Sequence, residues 1–267
     1  MTGADESLSL AVEDVGRRTT RSIEDLGQTF LLALTVPVMA MKRPWRLGLL
    51  LKQLEAVGVG SLFIVTLTGF FVGAVLSLQG IYAFALFNAE SLVGATVELS
   101  LARELAPVFA ALMVTARTGS AIATELGTMR VTEQIDALET MAVDTKKYLI
   151  VPRALAGALM LPVLTLIFNA VALLGAYLVA VASAGISGAE FQARIPLLTE
   201  MSDVLQGLGK SVVFGYVVCL VAAHRGYQAD GGASGVGVAA TRAVVSGSIS
   251  ILALDYALTA LTQAVGL

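Results

Sequence analysis

Residues 103–144 read RELAPVFAALMVTARTGSAIATELGTMRVTEQIDALETMAVD, a segment that begins as an apolar helix and ends as an acidic amphipathic one. It carries nine formal charges in a chain that is 57% hydrophobic and only 14% charged. Soluble domains carry about 25% charged residues. An ionisable side chain within a membrane costs roughly 2.5–3.5 kcal/mol on insertion scales, so such residues usually serve a function. The segment therefore predicts a membrane protein that is mechanically coupled to a partner through this region.

The rest of the composition excludes several other classes of protein. The mean hydropathy is +0.83. The net charge of −3 is too small to indicate a nucleic-acid partner. Cys219 is the single cysteine, which excludes a disulfide framework and a cysteine metal site. The N-terminus lacks an apolar core after a basic start, so it is not a secretory signal.

Five apolar stretches surround the quoted segment, each compatible with the roughly 20 residues that a spanning helix needs. Residues 154–189 are free of charge, and we expect one long helix, kinked or begun near Pro162. The sequence predicts an all-α membrane protein with an N-terminal amphipathic, interfacial helical region at residues 1–55 and a five-span domain at 56–267. The predicted spans are residues 58–87, 105–127, 154–182, 204–223 and 243–265.

The distribution of basic residues predicts the orientation of these spans. Fourteen of the 17 Lys and Arg residues precede the first span, lie between Arg117 and Arg153, or flank the last internal loop. The other three are Arg103, Arg194 and Lys210. The positive-inside rule then places the N-terminus in the cytoplasm and the C-terminus outside, in agreement with an odd number of spans.

The N-terminal region has helical periodicity but no predicted span. Apolar side chains recur at three- and four-residue spacing, at Leu8, Val12, Val15, Thr19, Ile23, Leu26 and Phe30. Such a helix lies at the membrane surface or packs on the protein itself. The apolar run 30–41 contains Pro37 and is too short to cross.

Small residues recur every four positions in the first two spans. They form the stripes Gly69, Gly73, Ser77 and Thr115, Gly119, Ala123, Gly127. Such stripes let helices approach closely in lipid. They serve either packing within one chain, which we expect for at least one stripe, or association of two chains.

Residues 131–142 predict a short amphipathic helix between two spans on the cytoplasmic side. Its apolar face comprises Val131, Ile135, Leu138 and Ala142, and its polar face comprises Glu133, Asp136 and Thr140. Thr132 is a candidate N-cap, with Glu133 favourable in the first turn. Such a helix either docks into a groove of a soluble partner or is a solvated connector.

Motifs for catalysis and nucleotide binding are incomplete. The run Gly207–Ser211 resembles the end of a phosphate-binding loop, but Val204 stands where the motif needs a glycine. The glycine-rich run 231–237 lacks a preceding strand. The single histidine, His224, belongs to no evident catalytic set. We therefore expect no catalytic residue, no metal and no cofactor in this chain, so its energy must come from a partner.

Several blocks carry a resemblance to a known family. Besides residues 103–144, they are KSVVFGY at 210–216, HRGYQADGGASGVGVAATRAVV at 224–245 and LDYALTAL at 254–261. Together they resemble the MlaE/YrbE permeases, the membrane subunits of ABC transporters that work with MCE proteins in lipid transport. The resemblance covers roughly residues 45–267 and is specific because it recurs in separate blocks.

The resemblance implies a homodimeric five-span permease of the bacterial inner membrane. It implies a cytoplasmic ABC ATPase that binds ATP, a periplasmic MCE protein and a phospholipid or related lipid as partners. The family's lipid pocket lies at the dimer interface, and the matching positions are Leu76, Ala83, Phe84, Phe87, Glu104 and Leu105. The family's ATPase-coupling helix corresponds to residues 131–141, with Glu133, Gln134, Asp136, Ala137, Leu138 and Met141 as contacts. Because Ala83 is small and Phe87 lacks a hydroxyl group, no preference for a particular lipid headgroup can be carried over from the family to this chain.

Three charged residues within the spans have alternative interpretations. Glu104 either lies at the outer mouth of the pocket or pairs with Arg103 or Arg117, and we favour the mouth. Arg103 is a poor partner because adjacent helical residues do not face each other. Arg117 and Asp255 either form buried structural pairs or are transport residues, and we favour the structural pairs. At the level of function, the alternatives are a passive anchor for an MCE assembly and an ATPase-independent secondary transporter, although no internal repeat supports the latter.

Overall fold

The computed structural model describes residues 27–42 and 46–265, together with Gly16, Thr20, Glu24 and Asp25. These residues contain helices and no β-strand. Five of the helices are long and apolar enough to cross a membrane. The predicted all-α, five-span fold class is therefore confirmed. The N-terminal stripe at Leu8, Val12, Val15, Thr19, Ile23 and Leu26 lies outside the described residues, so its interfacial helix stays a prediction.

The described chain forms nine helices, numbered here in chain order. They are α1 Gly27–Met41, α2 Leu47–Ala85, α3 Glu90–Val131, α4 Gln134–Thr140, α5 Lys146–Ala184, α6 Gly188–Ala193, α7 Ile195–Leu198, α8 Met201–Tyr227 and α9 Gly232–Val265. The predicted spans correspond to α2, α3, α5, α8 and α9. Two π-helical turns, Leu101–Leu105 and Thr115–Gly119, interrupt α3, and a third, Lys146–Ile150, begins α5.

The spanning helices are longer than the predicted spans, although α2 ends at Ala85 and not at the predicted residue 87. Helix α2 has 39 residues, roughly 58 Å at a rise of 1.5 Å per residue, whereas the hydrocarbon core is about 30 Å thick. It begins at Leu47 and contains Lys52 and Glu55, so the predicted division between residues 55 and 56 falls within one helix. Hydropathy marks where charged residues begin, but backbone hydrogen bonding continues past them into the interface and water.

Glycines bring α2, α5 and α8 into close contact. A Cβ on Gly73 would lie 1.8 Å from the carbonyl oxygen of Ala172, and one on Gly175 would lie 2.3 Å from that of Phe70. A Cβ on Gly157 in α5 would lie 2.2 Å from the carbonyl oxygen of Gly215 in α8. The α2 stripe thus serves packing within the chain, as expected for at least one stripe.

The α3 stripe also packs within the chain. Gly119 and Gly127 face Ala222 and Ala229, which lie in and just after α8, while Gly247 of α9 approaches Thr115. Helix α9 has the lowest buried share among the five long helices. Its exposed apolar side chains include Val245, Ile249, Leu252 and Tyr256. Lipid or another protein surface must cover this side of α9.

Over its described residues, Gly27–Met41, helix α1 is shorter than a membrane span, and it packs on the bundle by one face. Leu32 and Val36 are buried, whereas Phe30, Leu34 and other apolar side chains are exposed. The Tyr216 hydroxyl of α8 donates a hydrogen bond to the carbonyl oxygen of Ala33 over 2.6 Å. Helix α1 is therefore fixed to α8 while it presents an apolar face outward.

The spans alternate in direction, which gives the bundle two ends. One, called here the α4 end, carries α4, the start of α2 and the turn between α8 and α9. The other, the far end, carries the α2–α3 turn at residues 86–89 and the α5–α8 connection. Helix α5 is one long helix, as predicted, but it begins at Lys146 and not near Pro162, which lies inside it. It ends before Gly185, which has a left-handed φ of 65°.

Candidate functional site

A buried amine lies among acidic side chains at the far end of the bundle. Lys210 Nζ lies 2.6 Å from Glu104 Oε2 and 3.3 Å from Asp255 Oδ1. It also donates to Thr259 Oγ1 over 2.7 Å and to the carbonyl oxygen of Arg103 over 3.3 Å. Only 2% of the Lys210 side chain is exposed. We call Lys210, Glu104, Asp255 and Thr259 the Lys210 cluster.

Local backbone features place Lys210 in this cluster. A Cβ on Gly207, one turn earlier in α8, would lie 2.0 Å from the carbonyl oxygen of Ala102, so only glycine lets α8 approach α3 here. Arg103 and Glu104 belong to a π-helical turn, a local widening of a helix that is frequent at functional sites. The glycine and the widened turn together bring the amine to the Arg103 carbonyl.

A second ion pair lies beside the cluster. Arg103 Nε is 2.6 Å from Asp203 Oδ1, and only 4% of the Asp203 side chain is exposed. The other carboxylate oxygen, Asp203 Oδ2, accepts from the backbone N–H of Glu200 over 2.8 Å, within a capping box that starts α8. Asp203 therefore fixes the start of α8 relative to α3, because one carboxylate binds both.

A cavity of about 660 Å³ opens at the same place. Its lining includes Arg103, Asp203, Gln206, Lys210, Leu258 and Thr262. The size falls within the usual range for small-molecule sites, and the mixture of charged and apolar walls suits an amphipathic ligand. Within the described part of the chain, no group of three His, Cys, Asp or Glu side chains is arranged to hold a metal ion.

Helix α4 forms a separate surface at the opposite end. Ile135 is fully buried and Leu138 half-buried, which anchors the helix on the bundle. Glu133, Gln134, Asp136, Ala137 and Met141 are exposed. Asp136 Oδ1 accepts from Arg130 Nη1 over 2.5 Å, so this carboxylate is tied to the end of α3.

Hydrogen bonds also connect α4 to the ends of α8 and α5. Glu139 Oε1 accepts from the Tyr227 hydroxyl over 2.8 Å and from Thr145 Oγ1 over 3.1 Å. These two hydrogen bonds, with that from Tyr227 the stronger influence, lower the pKa of the Glu139 carboxyl below its ordinary value. Nearby, Arg153 Nη2 lies 2.8 Å from Glu125 Oε2 and joins α5 to α3. Through Arg130, Thr145 and Tyr227, helix α4 is thus bonded to the end of α3, to the residue before α5 and to the end of α8.

The match to a family model decides the relationship of this chain to known proteins. The model, described as "Permease MlaE", matches residues 50–261. The chain belongs to the MlaE permease family. With its five apolar helices, it is a multi-pass membrane permease of that family.

Relatives of this MlaE-family permease occur in distant organisms. A "Probable ABC transporter permease protein" of Rickettsia bellii is 41% identical over 247 residues, which cover 92% of this chain and 95% of the relative. The "Intermembrane phospholipid transport system permease protein MlaE" of Haemophilus influenzae is 41% identical over 219 residues, 82% of this chain and 84% of the relative. "Protein TRIGALACTOSYLDIACYLGLYCEROL 1, chloroplastic" of Arabidopsis thaliana is 36% identical over 209 residues, 78% of this chain and 60% of the relative.

In this MlaE-family chain, the six residues predicted to contact lipid do not share one environment. Leu76, Phe84 and Leu105 are half-buried against the core, whereas Ala83 and Phe87 are exposed. Glu104 joins the Lys210 cluster. None of the six is among the side chains that line the 660 Å³ cavity. One chain therefore does not gather them into that cavity, and their contact with lipid stays a prediction.

The partner of Glu104 is one that sequence reasoning missed. Neither Arg103 nor Arg117 pairs with Glu104, because Arg103 bonds Asp203 and Lys210 bonds Glu104. The sequence did contain a signal for this pairing. Lys210 and Asp255 are isolated charges within apolar spans, and such charges usually pair with one another. The pairing predicted for Asp255 is confirmed, with Lys210 as its partner.

Three other predictions, about Arg117, Thr132 and the start of α4, are wrong. Arg117 is exposed, lies beside Gly60 of α2 and has no ion pair among the described residues. Thr132 is not an N-cap, because α3 continues to Val131 and the Thr132 hydroxyl donates back to the Thr128 carbonyl. Helix α4 begins at Gln134, later than the predicted residue 131, after Glu133 with a left-handed φ of 60°.

Proposed function

We propose that this chain is the permease subunit of an ABC transporter that moves phospholipid or a related lipid between the inner membrane and a periplasmic MCE protein. Membership of the MlaE family and the name of the Haemophilus relative support the proposal. The structural observation that carries it is the course of α3. This single helix carries Glu104 of the Lys210 cluster near one end and leads directly into α4 at the other.

The energy comes from a separate cytoplasmic ABC ATPase that binds ATP. This chain itself binds no cofactor and performs no catalytic step in the proposal. The exposed residues of α4 form the ATPase contact, with buried Ile135 as the anchor that makes α4 move with the bundle. Bonds from α4 to Arg130, Thr145 and Tyr227 carry its displacement into α3, α5 and α8.

The α4 end faces the cytoplasm in this proposal, and the far end faces the periplasm. The N-terminus is then cytoplasmic and the C-terminus periplasmic. Lys42, Arg46, Arg130, Lys146 and Lys147 all lie in or beside the segments of the α4 end. The positive-inside rule supports this orientation because cytoplasmic segments carry the excess of Lys and Arg.

The transport site forms between two copies of the chain. Helix α9 is the least buried span and offers an apolar surface for a second protomer. In the homodimer, lipid tails contact Leu76, Ala83, Phe84, Phe87 and Leu105 of both chains. Because Glu104 belongs to the Lys210 cluster, we assign this cluster to the mouth of the transport site. There it contributes charged and polar groups towards the lipid headgroup.

Reconstitution tests the transport proposal. The chain, an ABC ATPase and an MCE protein are placed in liposomes with a fluorescent phospholipid, and transfer between membrane and MCE protein is followed with and without ATP. We expect transfer only with the ATPase present and hydrolysing. Transfer of equal rate without the ATPase would instead identify a secondary transporter, and assembly without any ATP-dependent transfer would identify a passive anchor.

A second experiment tests the α4 contact. Glu133 has no ion pair among the described residues, so Glu133→Lys reverses a charge without breaking a bond. Asp136→Lys also brings a cation against Arg130, and the two changes together should strongly reduce co-purification of the ATPase. Glu55→Lys with Glu190→Lys is the matched control, since both residues are exposed and lie outside α4. Undiminished co-purification of the ATPase with the α4 variant would refute this contact.

A further inference from the structure

A second cavity, of about 500 Å³, lies at the α4 end of the bundle. The end of α1, the start of α2 and the start of α5 enclose it. Its rim carries Lys42, Arg46, Asp144 and Lys147, and its apolar lining includes Met39, Leu47, Leu50, Val151 and Leu155. The Lys210 cluster lies at the other end of the bundle, so this cavity is separate from the proposed transport site.

The charges on the rim favour an anionic ligand. Three cationic side chains surround the opening, against the single carboxylate of Asp144. Asp144 Oδ1 is already engaged, because it accepts from the backbone N–H of Lys147 over 3.1 Å at the start of α5. Lys42 and Arg46 alone outnumber this one carboxylate, so the charged part of the lining favours an anion.

Arg46 is held in a geometry suited to a phosphate. Its guanidinium carbon lies 4.3 Å from the centre of the Tyr148 ring. Stacking on an aromatic face fixes the guanidinium plane and leaves its edge N–H groups free to bind phosphate oxygens in pairs. Neither Arg46 nor Lys42 has an ion pair with any residue that the structure describes. An incoming phosphate group would supply both with a counter-ion.

The apolar lining and its surroundings indicate that the phosphate carries hydrocarbon chains. Leu47 and Leu51 beside the cavity are exposed, and exposed apolar side chains continue along α2 through Val59 and Phe63. This surface suits lipid tails, so a lipid can reach the cavity sideways from the bilayer. A volume of about 500 Å³ is within the usual range for ligand pockets and would hold a headgroup with the first part of its chains.

We infer that this cavity binds the headgroup of an anionic phospholipid from the membrane leaflet on the α4 side. Lys42 and Arg46 hold the phosphate, and Leu47, Leu50 and Leu155 contact the upper parts of the acyl chains. A lipid in this position joins α1 to α2 and α5 close to the residues that follow α4. The inference does not depend on the proposed transport activity or on its partners.

Native mass spectrometry of the full-length chain tests the inference. The protein is delipidated in detergent and titrated with phosphatidylglycerol or, separately, phosphatidylcholine. We expect tighter binding of one phosphatidylglycerol per chain than of phosphatidylcholine. Lys42→Gln with Arg46→Gln should weaken this binding roughly 25-fold, about fivefold for each cation removed near a membrane surface. Phosphatidylcholine binding should change far less.

A matched control removes two exposed cations elsewhere, Lys52→Gln with Arg242→Gln, and should retain the phosphatidylglycerol preference. A second variant, Leu50→Trp, fills the cavity without a change of charge and should also weaken binding. Equal affinity for both lipids, or equal losses in the control and the Lys42/Arg46 variant, would overturn the inference. Full displacement of the lipid by an equal concentration of inorganic phosphate would also overturn it, since a free anion would then be the ligand.

Discussion

Lys210 Nζ of α8 and Glu104 Oε2 of α3 lie 2.6 Å apart, with the amine almost completely shielded from solvent. Asp255 of α9 contacts the same amine from a third helix. Two carboxylates therefore neutralise one buried cation, and three spans are tied together at one point. Removal of one member of a buried ion pair usually costs more than replacement of the whole pair, because it leaves an uncompensated charge.

Replacement of Lys210 should strongly destabilise the far end of the bundle. Lys210→Met retains most of the side-chain volume but leaves Glu104 and Asp255 close together without a cation. We expect a loss of stability below the roughly 3–5 kcal/mol usual for a fully buried pair, because the Glu104 and Asp255 side chains are 36% and 23% exposed and water partly solvates the charges left behind. The thermal unfolding midpoint in detergent measures the effect.

Two further variants separate this charge effect from a general effect of the substitution. Lys52→Met removes an exposed lysine from α2 and should leave the midpoint nearly unchanged. Lys210→Met combined with Glu104→Gln and Asp255→Asn removes all three charges and should recover part of the loss. If the single Lys210→Met variant unfolds at the wild-type midpoint, the cluster does not stabilise the bundle.

Close contact between α2 and α5 should make Gly73 intolerant of a methyl group. A Cβ there would lie 1.8 Å from the backbone oxygen of Ala172, so one helix must move away. Overpacking of this kind costs about 1–3 kcal/mol, and backbone atoms relieve it less easily than side chains do. Thermal unfolding of Gly73→Ala should show the loss.

Gly48 provides the matched control in the same helix. A Cβ at Gly48 meets nothing within 4 Å. Gly48→Ala should therefore be neutral or should stabilise by up to about 1 kcal/mol, because alanine is the better helix former. Equal behaviour of the two alanine variants would contradict the proposed role of the Gly73 contact.

The predicted lipid contacts can be tested on the proposed dimer by photo-crosslinking. A photoreactive residue at position 84, 87 or 105 should label lipid more strongly than one at Phe71 of α2 or Leu174 of α5, which are exposed and lie away from both proposed lipid sites. The expected excess arises because a lipid held between two chains stays longer than a lipid in the surrounding bilayer. Labelling no stronger than at Phe71 and Leu174 would count against a pocket at positions 84, 87 and 105.

Much of the fold could be predicted because hydropathy and helical periodicity report directly on burial in lipid. Five spans, the long helix through Pro162 and an anchored helix between α3 and α5 all follow from these patterns. The ends of the helices do not follow from them, because α2 begins at Leu47, before the charged Lys52 and Glu55, and α3 continues past Arg130 to Val131. The start of α4 depended on the left-handed turn at Glu133, which its side chain does not signal.

The far-end cluster was only partly predictable, for a different physical reason. Sequence spacing indicates which residues share a helix face, so it raised Arg103 and Arg117 as partners within the same helix. Sequence spacing does not reveal how α3, α8 and α9 are aligned relative to one another along their axes. That alignment depends on the contact of Gly207 with the Ala102 backbone and on the π-helical turn at Leu101–Leu105. Lys210 was visible as a lone charge, but its partners required the packed helices.

The hydrogen bonds to Glu139 should make the attachment of α4 depend on pH. Tyr227 and Thr145 donate to the ionised carboxylate, with smaller attraction from Arg130 and Lys146, and these interactions lower the pKa of Glu139 below its ordinary value of 4.5. A lowered pKa means that the folded state favours the charged form, so the stabilisation is present above pH 4.5 and is lost as the pH falls below it.

Glu139→Gln resembles the protonated side chain at every pH. The difference in hydrogen exchange of the α4 amides between wild type and Glu139→Gln should therefore be largest near neutral pH and should shrink below 4.5. Glu133→Gln alters a neighbouring exposed carboxylate that accepts no hydrogen bond from any described residue, and its effect should not follow this course. A wild-type-to-Glu139→Gln difference that stays constant from neutral pH to below 4.5 would show that the carboxylate charge does not hold α4 in place.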